Sequence, residues 1–168
     1  AIQLIQSLNY QIDATSVEHF AENTMVDSAL AVYVQQAREK NIPIDVKIDT
    51  PSTFAAEIDF SLLLCNLLEN AIHAEEHEAE DARAIRVRAR TTGDSLFLSV
   101  ENRCSTPIKL SASGLPKREK HSDEHGYGTL SIEQFTQKHG AECFTEQQDG
   151  YFRILLHLPL PVNSNNQS

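Results

Sequence analysis

Asn66 and Asn70 stand one helical turn apart in the run SLLLCNLLENAIHAEEH. On a helix both amides project from one face, while Leu63, Leu64, Leu67 and Leu68 pack elsewhere. Asparagine is a poor helix-interior residue, so two of them on a leucine-rich helix invite an explanation. An amide oxygen is a hard, neutral ligand for Mg²⁺, and an amide NH₂ donates to phosphate oxygens. The pair reads either as such a site or as a polar stripe satisfied by neighbouring backbone. A second constellation is His125-Gly126-Tyr127-Gly128, between a long loop and a helix. Glycines there let the backbone approach a ligand, and the free N–H groups of the next helix form an anion site. The same residues also suit a flexible loop end that meets a helix.

Other groupings carry less. His73 and His77 at i, i+4 lack a nearby third ligand and read as solvated helix histidines. Arg86, Arg88 and Arg90 alternate with apolar residues, as on the wet face of a strand. No aromatic interleaving supports single-strand nucleic-acid binding, and no G-x-S-x-G elbow supports hydrolase chemistry. Cys65, Cys104 and Cys143 form no C-x-x-C pair, which fits buried, reduced thiols in a cytoplasmic protein.

The elements that must position these residues follow from periodicity. The spacing predicts a helix from about Thr24, with Thr24 as N-cap and Val26, Leu30, Tyr33, Val34 and Ala37 on one face. Ile42, Ile44, Val46 and Ile48 then alternate with proline or charge, as in a strand buried on one face. The asparagine helix starts near Asp59 and frays over Glu75 to Asp81. Residues 85–100 read as a hairpin turning at Gly93-Asp94, and 103–125 as a long loop of the kind that forms lids. After Gly128 a helix with Leu130, Ile132, Phe135 and Thr136 ends at His139-Gly140, and Asp149-Gly150 turns a closing hairpin. This order predicts an α/β domain, a mixed sheet covered by helices on one face.

The chain has 168 residues, 40% hydrophobic, with 14 Lys+Arg against 24 Asp+Glu for a net charge of −10. That is one domain's worth, with enough chain to bury roughly two thirds of its unfolded surface. The acidic balance argues against nonspecific binding to DNA or anionic membranes. No apolar run reaches the roughly 20 residues of a membrane span, so a soluble piece is expected. The chain opens at Ala1 inside an amphipathic stretch, with Ile2, Ile5, Leu8 and Ile12 at helical spacing. This suggests part of a longer polypeptide, with residues 1–21 the end of an upstream helical segment, 22–161 the domain and 162–168 a disordered tail.

The order of asparagine helix, hairpin, lid, G-x-G helix and closing hairpin resembles the GHKL ATPase superfamily. Within it, the chain resembles the catalytic ATP-binding domain of sensor histidine kinases, above all the peptide-sensing quorum kinases of the accessory-gene-regulator type. NLLENAIHA is similar to the family's N box, GYGTLSIEQFTQKHGA to its last glycine box and helix, and FRILLHLP to its closing strand. The resemblance implies the two-layer α/β sandwich of the Bergerat fold, binding ATP and Mg²⁺.

Carried onto this sequence, the resemblance makes Asn70 the Mg²⁺ ligand and Asn66 its partner toward the phosphates. Asn66 stands where other branches carry a general-base glutamate, which fits transfer to a protein histidine better than hydrolysis. Gly126 and Gly128 would frame the triphosphate, with Lys117, Arg118, Lys120 and His125 as charge partners. His73 sits where many histidine kinases have a basic residue. The family's D-x-G-x-G is missing. Asn102, after the strand ending at Val100, is the adenine candidate, since an amide can meet that base edge. Thr129 replaces an apolar residue, and Leu130 is expected to take over its packing. The resemblance further implies an upstream helical hairpin that carries the acceptor histidine, a response regulator, a full-length homodimer and a cytoplasmic location in a membrane-bound receptor kinase. His19 is not in an acceptor context. The rival readings are a degenerate domain serving as a dimerisation or partner scaffold, and a GHKL protein-serine kinase or anti-sigma switch.

Overall fold

The computed structural model describes residues 18–116 and 127–161. Helix α1 (Thr24–Glu39) is capped by Asn23, one residue earlier than the sequence suggested. The Asn23 side chain accepts from the N–H groups of Met25 and Val26. Its Nδ2 donates to the Ser52 carbonyl at 3.0 Å and to Glu57 Oε2 at 2.7 Å. Thr24 cannot make these long-range bonds from inside the first turn. Beyond the Lys40 C-cap stands Asn41, whose φ of 55° brings the Ile42 N–H back onto the Ala37 carbonyl.

Strand β1 (Ile44–Asp49) shows the expected alternation, with Ile44, Val46 and Ile48 turned inward. Helix α2 (Glu57–Glu76) starts two residues before Asp59, and a 3₁₀ turn (Glu80–Ala82) follows it. Strands β2 (Ile85–Thr92) and β3 (Ser95–Arg103) form the predicted hairpin, with Gly93 at φ +58°. Helix α3 (Tyr127–His139) stops at Gly140, φ +62°, and β4 (Glu142–Gln148) turns into β5 (Tyr151–Pro159) at Asp149-Gly150. Both turn residues have positive φ, as a two-residue hairpin turn requires.

The five strands run in the order β1-β2-β3-β5-β4, with β1 parallel to β2 and every other pair antiparallel. Helix α2 is the middle of the helical layer and packs on α1, α3 and β3. Phe60, Leu63, Leu64, Leu67, Leu68 and Ala71 from α2 are buried against Val87, Leu98 and Leu156 of the sheet in one apolar core. Two packing expectations fail. Leu130 is 39% exposed and does not replace an apolar residue at 129, because the buried face of α3 runs through Ile132 and Phe135. The three cysteines are free but half-buried rather than buried. Among the described residues no helix is long and apolar enough to cross a membrane.

The other face of the sheet is open and held by charge. Asp45, Arg86, Glu101, Arg153 and Glu146 occupy one register row across all five strands, alternating in sign. Glu101 is the buried member, at 4% exposure, and pairs with Arg86 on one oxygen and with Arg153 Nη2 at 2.6 Å on the other. Burial alone would raise its carboxyl, but the hydrogen bonds from Arg153 and Arg86 outweigh that and hold it below the usual 4.5. A depressed carboxyl stabilises the fold above its unfolded pKa and loses that contribution as the pH falls through the folded value. Glu101→Gln is therefore expected to flatten the decline in unfolding free energy below pH 4.5, measured by urea denaturation across an acid series. Asn23→Ala removes a cap and two tertiary hydrogen bonds, and the same denaturation at neutral pH should show a loss of about 2–3 kcal/mol.

Candidate functional site

The two asparagines of α2 take the solvent stripe that its neighbours leave. Ile58, Leu62, Asn66 and Asn70 succeed one another at i, i+4; Ile58 and Leu62 are 58% and 59% exposed, Asn66 is half-buried and Asn70 is exposed. Neither amide makes a hydrogen bond to any described residue. The reading of a polar stripe satisfied by neighbouring backbone is thereby excluded among the described residues.

Helix α3 is laid antiparallel beside this stripe. At one end Asp59 accepts from both Lys138 Nζ and His139 Nε2 at 2.7 Å, and these bonds hold its carboxyl below the usual range. A groove of about 300 Å³ runs on from there, lined by Asp59, Leu62, Asn66, Ser131, Phe135 and Lys138. The step from Lys138 to Ser131 equals the step from Asp59 to Asn66, seven residues each. Four more residues along each helix, at about 1.5 Å per residue, bring the first turn of α3 level with Asn70. The first-turn N–H groups, which have no partner within the helix, and the positive end of the helix dipole therefore lie level with the two amides. Gly128 lies in that first turn. Thr129 donates to the Pro116 carbonyl at 3.4 Å, tying that residue to the turn. Lys117, Arg118, Lys120, His125 and Gly126 lie outside the described residues.

At its other end α2 fixes the end of β3. Glu75, fully buried, accepts from the N–H of Ala84 at 3.0 Å and from that of Arg103. Burial pushes its carboxyl above the usual value, and no side-chain cation bonds to it. Asn102 is 7% exposed on the helix-facing side of β3, in line with Leu98 and Val100. Its Nδ2 donates to the Arg103 carbonyl at 2.7 Å, and its Oδ1 accepts nothing from any described residue. His73, one turn beyond Asn70, pairs at 3.5 Å with Glu76, and its ring meets that of His77 edge-on at 4.9 Å. Among the described residues no cluster of three potential metal ligands includes these histidines. Sequence reading missed Glu75, because nothing local marks a buried acid whose partners lie 9 and 28 residues away.

The family model for the GHKL domain matches residues 56–159, from the start of α2 to the end of β5. The chain belongs to the GHKL domain family. Its fold is that of the catalytic domain of histidine kinase ThkA, with a TM-score of 0.65 at 19% identity over 80% of this chain and 90% of that one. The mycobacterial sensor histidine kinase MprB gives 0.60 at 15% identity, covering 81% of this chain and 93% of that one. Full-length ShkA, solved in complex with AMPPNP, gives 0.63 at 18% identity over 81% of this chain and 29% of its own. Comparison with curated proteins finds no match.

Amides on a helix surface that bond to no described residue should contribute nothing to folding. Asn66→Ala and Asn70→Ala are each expected to leave the GHKL domain as stable as the wild type or to raise its stability by about 0.5 kcal/mol through helix propensity. Thermal and urea unfolding check this, and a clear loss of stability in either variant would assign the asparagines a structural role.

Proposed function

We propose that residues 22–161 form the ATP-binding catalytic domain of a sensor histidine kinase, which presents the γ-phosphate of Mg-ATP to a histidine on an upstream helical hairpin. The observation that carries this reading is the pair of amides Asn66 and Asn70, which bond to no described residue and lie level with the N-terminal turn of α3. Hard neutral oxygens suit Mg²⁺, and helix N–H groups suit phosphate oxygens. The free Oδ1 of buried Asn102 suits the amine of an adenine edge. The donor set thus fits the group at both ends.

When bound, Mg-ATP supplies the transferable phosphoryl group. The chain's own residues would position and neutralise it: Asn70 would hold the metal, Asn66 would serve the phosphates, Gly126 and Gly128 would give the triphosphate close backbone approach, and Lys117, Arg118, Lys120 and His125 would supply charge. A glutamate at position 66 could take a proton from water, and an asparagine cannot. The reading therefore favours transfer to a protein side chain over hydrolysis. Its partners are the acceptor hairpin, a response regulator and a second copy in a membrane-attached full-length kinase of the peptide-sensing quorum type. The glycine-free stretch after Asn102 favours a second reading, a domain that keeps the fold as a scaffold without nucleotide.

Calorimetric titration with AMPPNP and Mg²⁺ separates the two. The kinase reading expects saturable binding that weakens more than tenfold in Asn70→Ala, in line with the loss of a metal ligand. A folded wild type that takes up no nucleotide would favour the scaffold.

A further inference from the structure

Between Gly93 and Gly114 the chain has no glycine, although a backbone that closes around a ligand usually needs one. Three side chains from the elements on either side hold that backbone instead. Glu75 accepts the Arg103 N–H. Glu78 Oε1 accepts both the Ser105 N–H at 2.8 Å and its hydroxyl at 3.0 Å. From the opposite side Gln147, on β4, donates to the Thr106 carbonyl at 2.9 Å and accepts the Ile108 N–H at 2.9 Å. The Cys104 N–H reaches the Gly150 carbonyl at 2.9 Å. The stretch 103–108 is thus bound on one side to the end of α2 and on the other to the β4–β5 hairpin.

This clamp bears directly on Asn102. Its Nδ2 is committed to the Arg103 carbonyl; Glu75 holds the peptide before it through the Arg103 N–H, and the Cys104 N–H, in the same planar unit as that carbonyl, is held by the Gly150 carbonyl. With that carbonyl fixed, the amide of Asn102 has one orientation, and Oδ1 is the atom left over. An amide free to rotate would offer an acceptor or a donor equally and could not distinguish an amino group from a carbonyl on a base.

We infer that Glu75, Glu78 and Gln147 are positioning residues for base recognition: they lock the segment after β3 so that Asn102 presents only an acceptor, selecting adenine over guanine. This rests on the reading of the domain as nucleotide-binding. The test is calorimetric titration of the whole chain with Mg-AMPPNP and with Mg-GMPPNP, for the wild type, Gln147→Ala, Glu78→Ala and Glu78→Gln, each shown by circular dichroism to be folded. Both sites are on the surface or half-exposed, so folding survives where Glu75→Ala would not guarantee it. The wild type should prefer AMPPNP. Gln147→Ala and Glu78→Ala should each lose that preference by about tenfold, the worth of one hydrogen bond in affinity, without weakening GMPPNP. Glu78→Gln keeps an acceptor oxygen and should retain the preference. Asn70→Ala, which touches the phosphate end, should weaken both nucleotides alike. A wild type indifferent to the base, or alanine variants that keep the preference or lose both nucleotides equally, would overturn the inference. A wild type that binds neither nucleotide overturns the functional reading itself, and this inference with it.

Discussion

Burial of the leucine face of α2 is the contact around which the molecule is arranged. Leu63, Leu64, Leu67 and Leu68 are each at most 2% exposed, and full burial contributes about 2 kcal/mol apiece. Against that, two asparagines in mid-helix cost about 0.6 kcal/mol each in propensity. The core decides the rotation of the helix by a wide margin. Because α1, α3 and β3 occupy three of its sides, the remaining stripe is forced outward, and Asn66 and Asn70 ride on it. Their exposure is a consequence of where the leucines must go.

Two buried carboxylates show how differently one fold uses the same group. Glu101 stands among guanidiniums, and the hydrogen bonds from Arg153 and Arg86 overcome the cost of burial and keep it ionised. Glu75 meets only backbone N–H groups, and burial pushes its carboxyl up. The first stabilises the open face of the sheet, where half-exposed arginines can trade partners with water. The second joins the end of α2 to the residue before β2 and to the end of β3 at once, one carboxyl oxygen to each N–H.

What the sequence made legible follows the range of the interaction. Gly93-Asp94 and Asp149-Gly150 announced their turns because positive φ is a local demand. The alternation in IPIDVKID and in the arginine strand marked their inner faces because strand side chains alternate with period two. Even the pair at 66 and 70 is a local spacing. The cap of α1 was misplaced by one residue because Asn23 and Thr24 are both good caps, and the choice was made by Ser52 and Glu57, about thirty residues away. Leu130 misled because its helical phase fits loosely, while Ile132 and Phe135 already fill the contact with α2. Nothing in the sequence pointed to Glu78 or Gln147, whose partners lie 27 to 41 residues off.

Both ends of the candidate site therefore refer to one rigid body. Asn66 and Asn70 are carried on α2 directly, and Asn102 is carried on it through Glu75, five residues past Asn70 or about 7 Å along the axis. A ligand that spans the amides and the end of β3 meets a spacing set by a single helix, not by the relative motion of loops. The segment 104–116 and the first turn of α3 can then differ in sequence without moving either end. The distance from the two amides to the end of β3 survives those changes, provided the leucines stay buried and Glu75 keeps its two N–H partners.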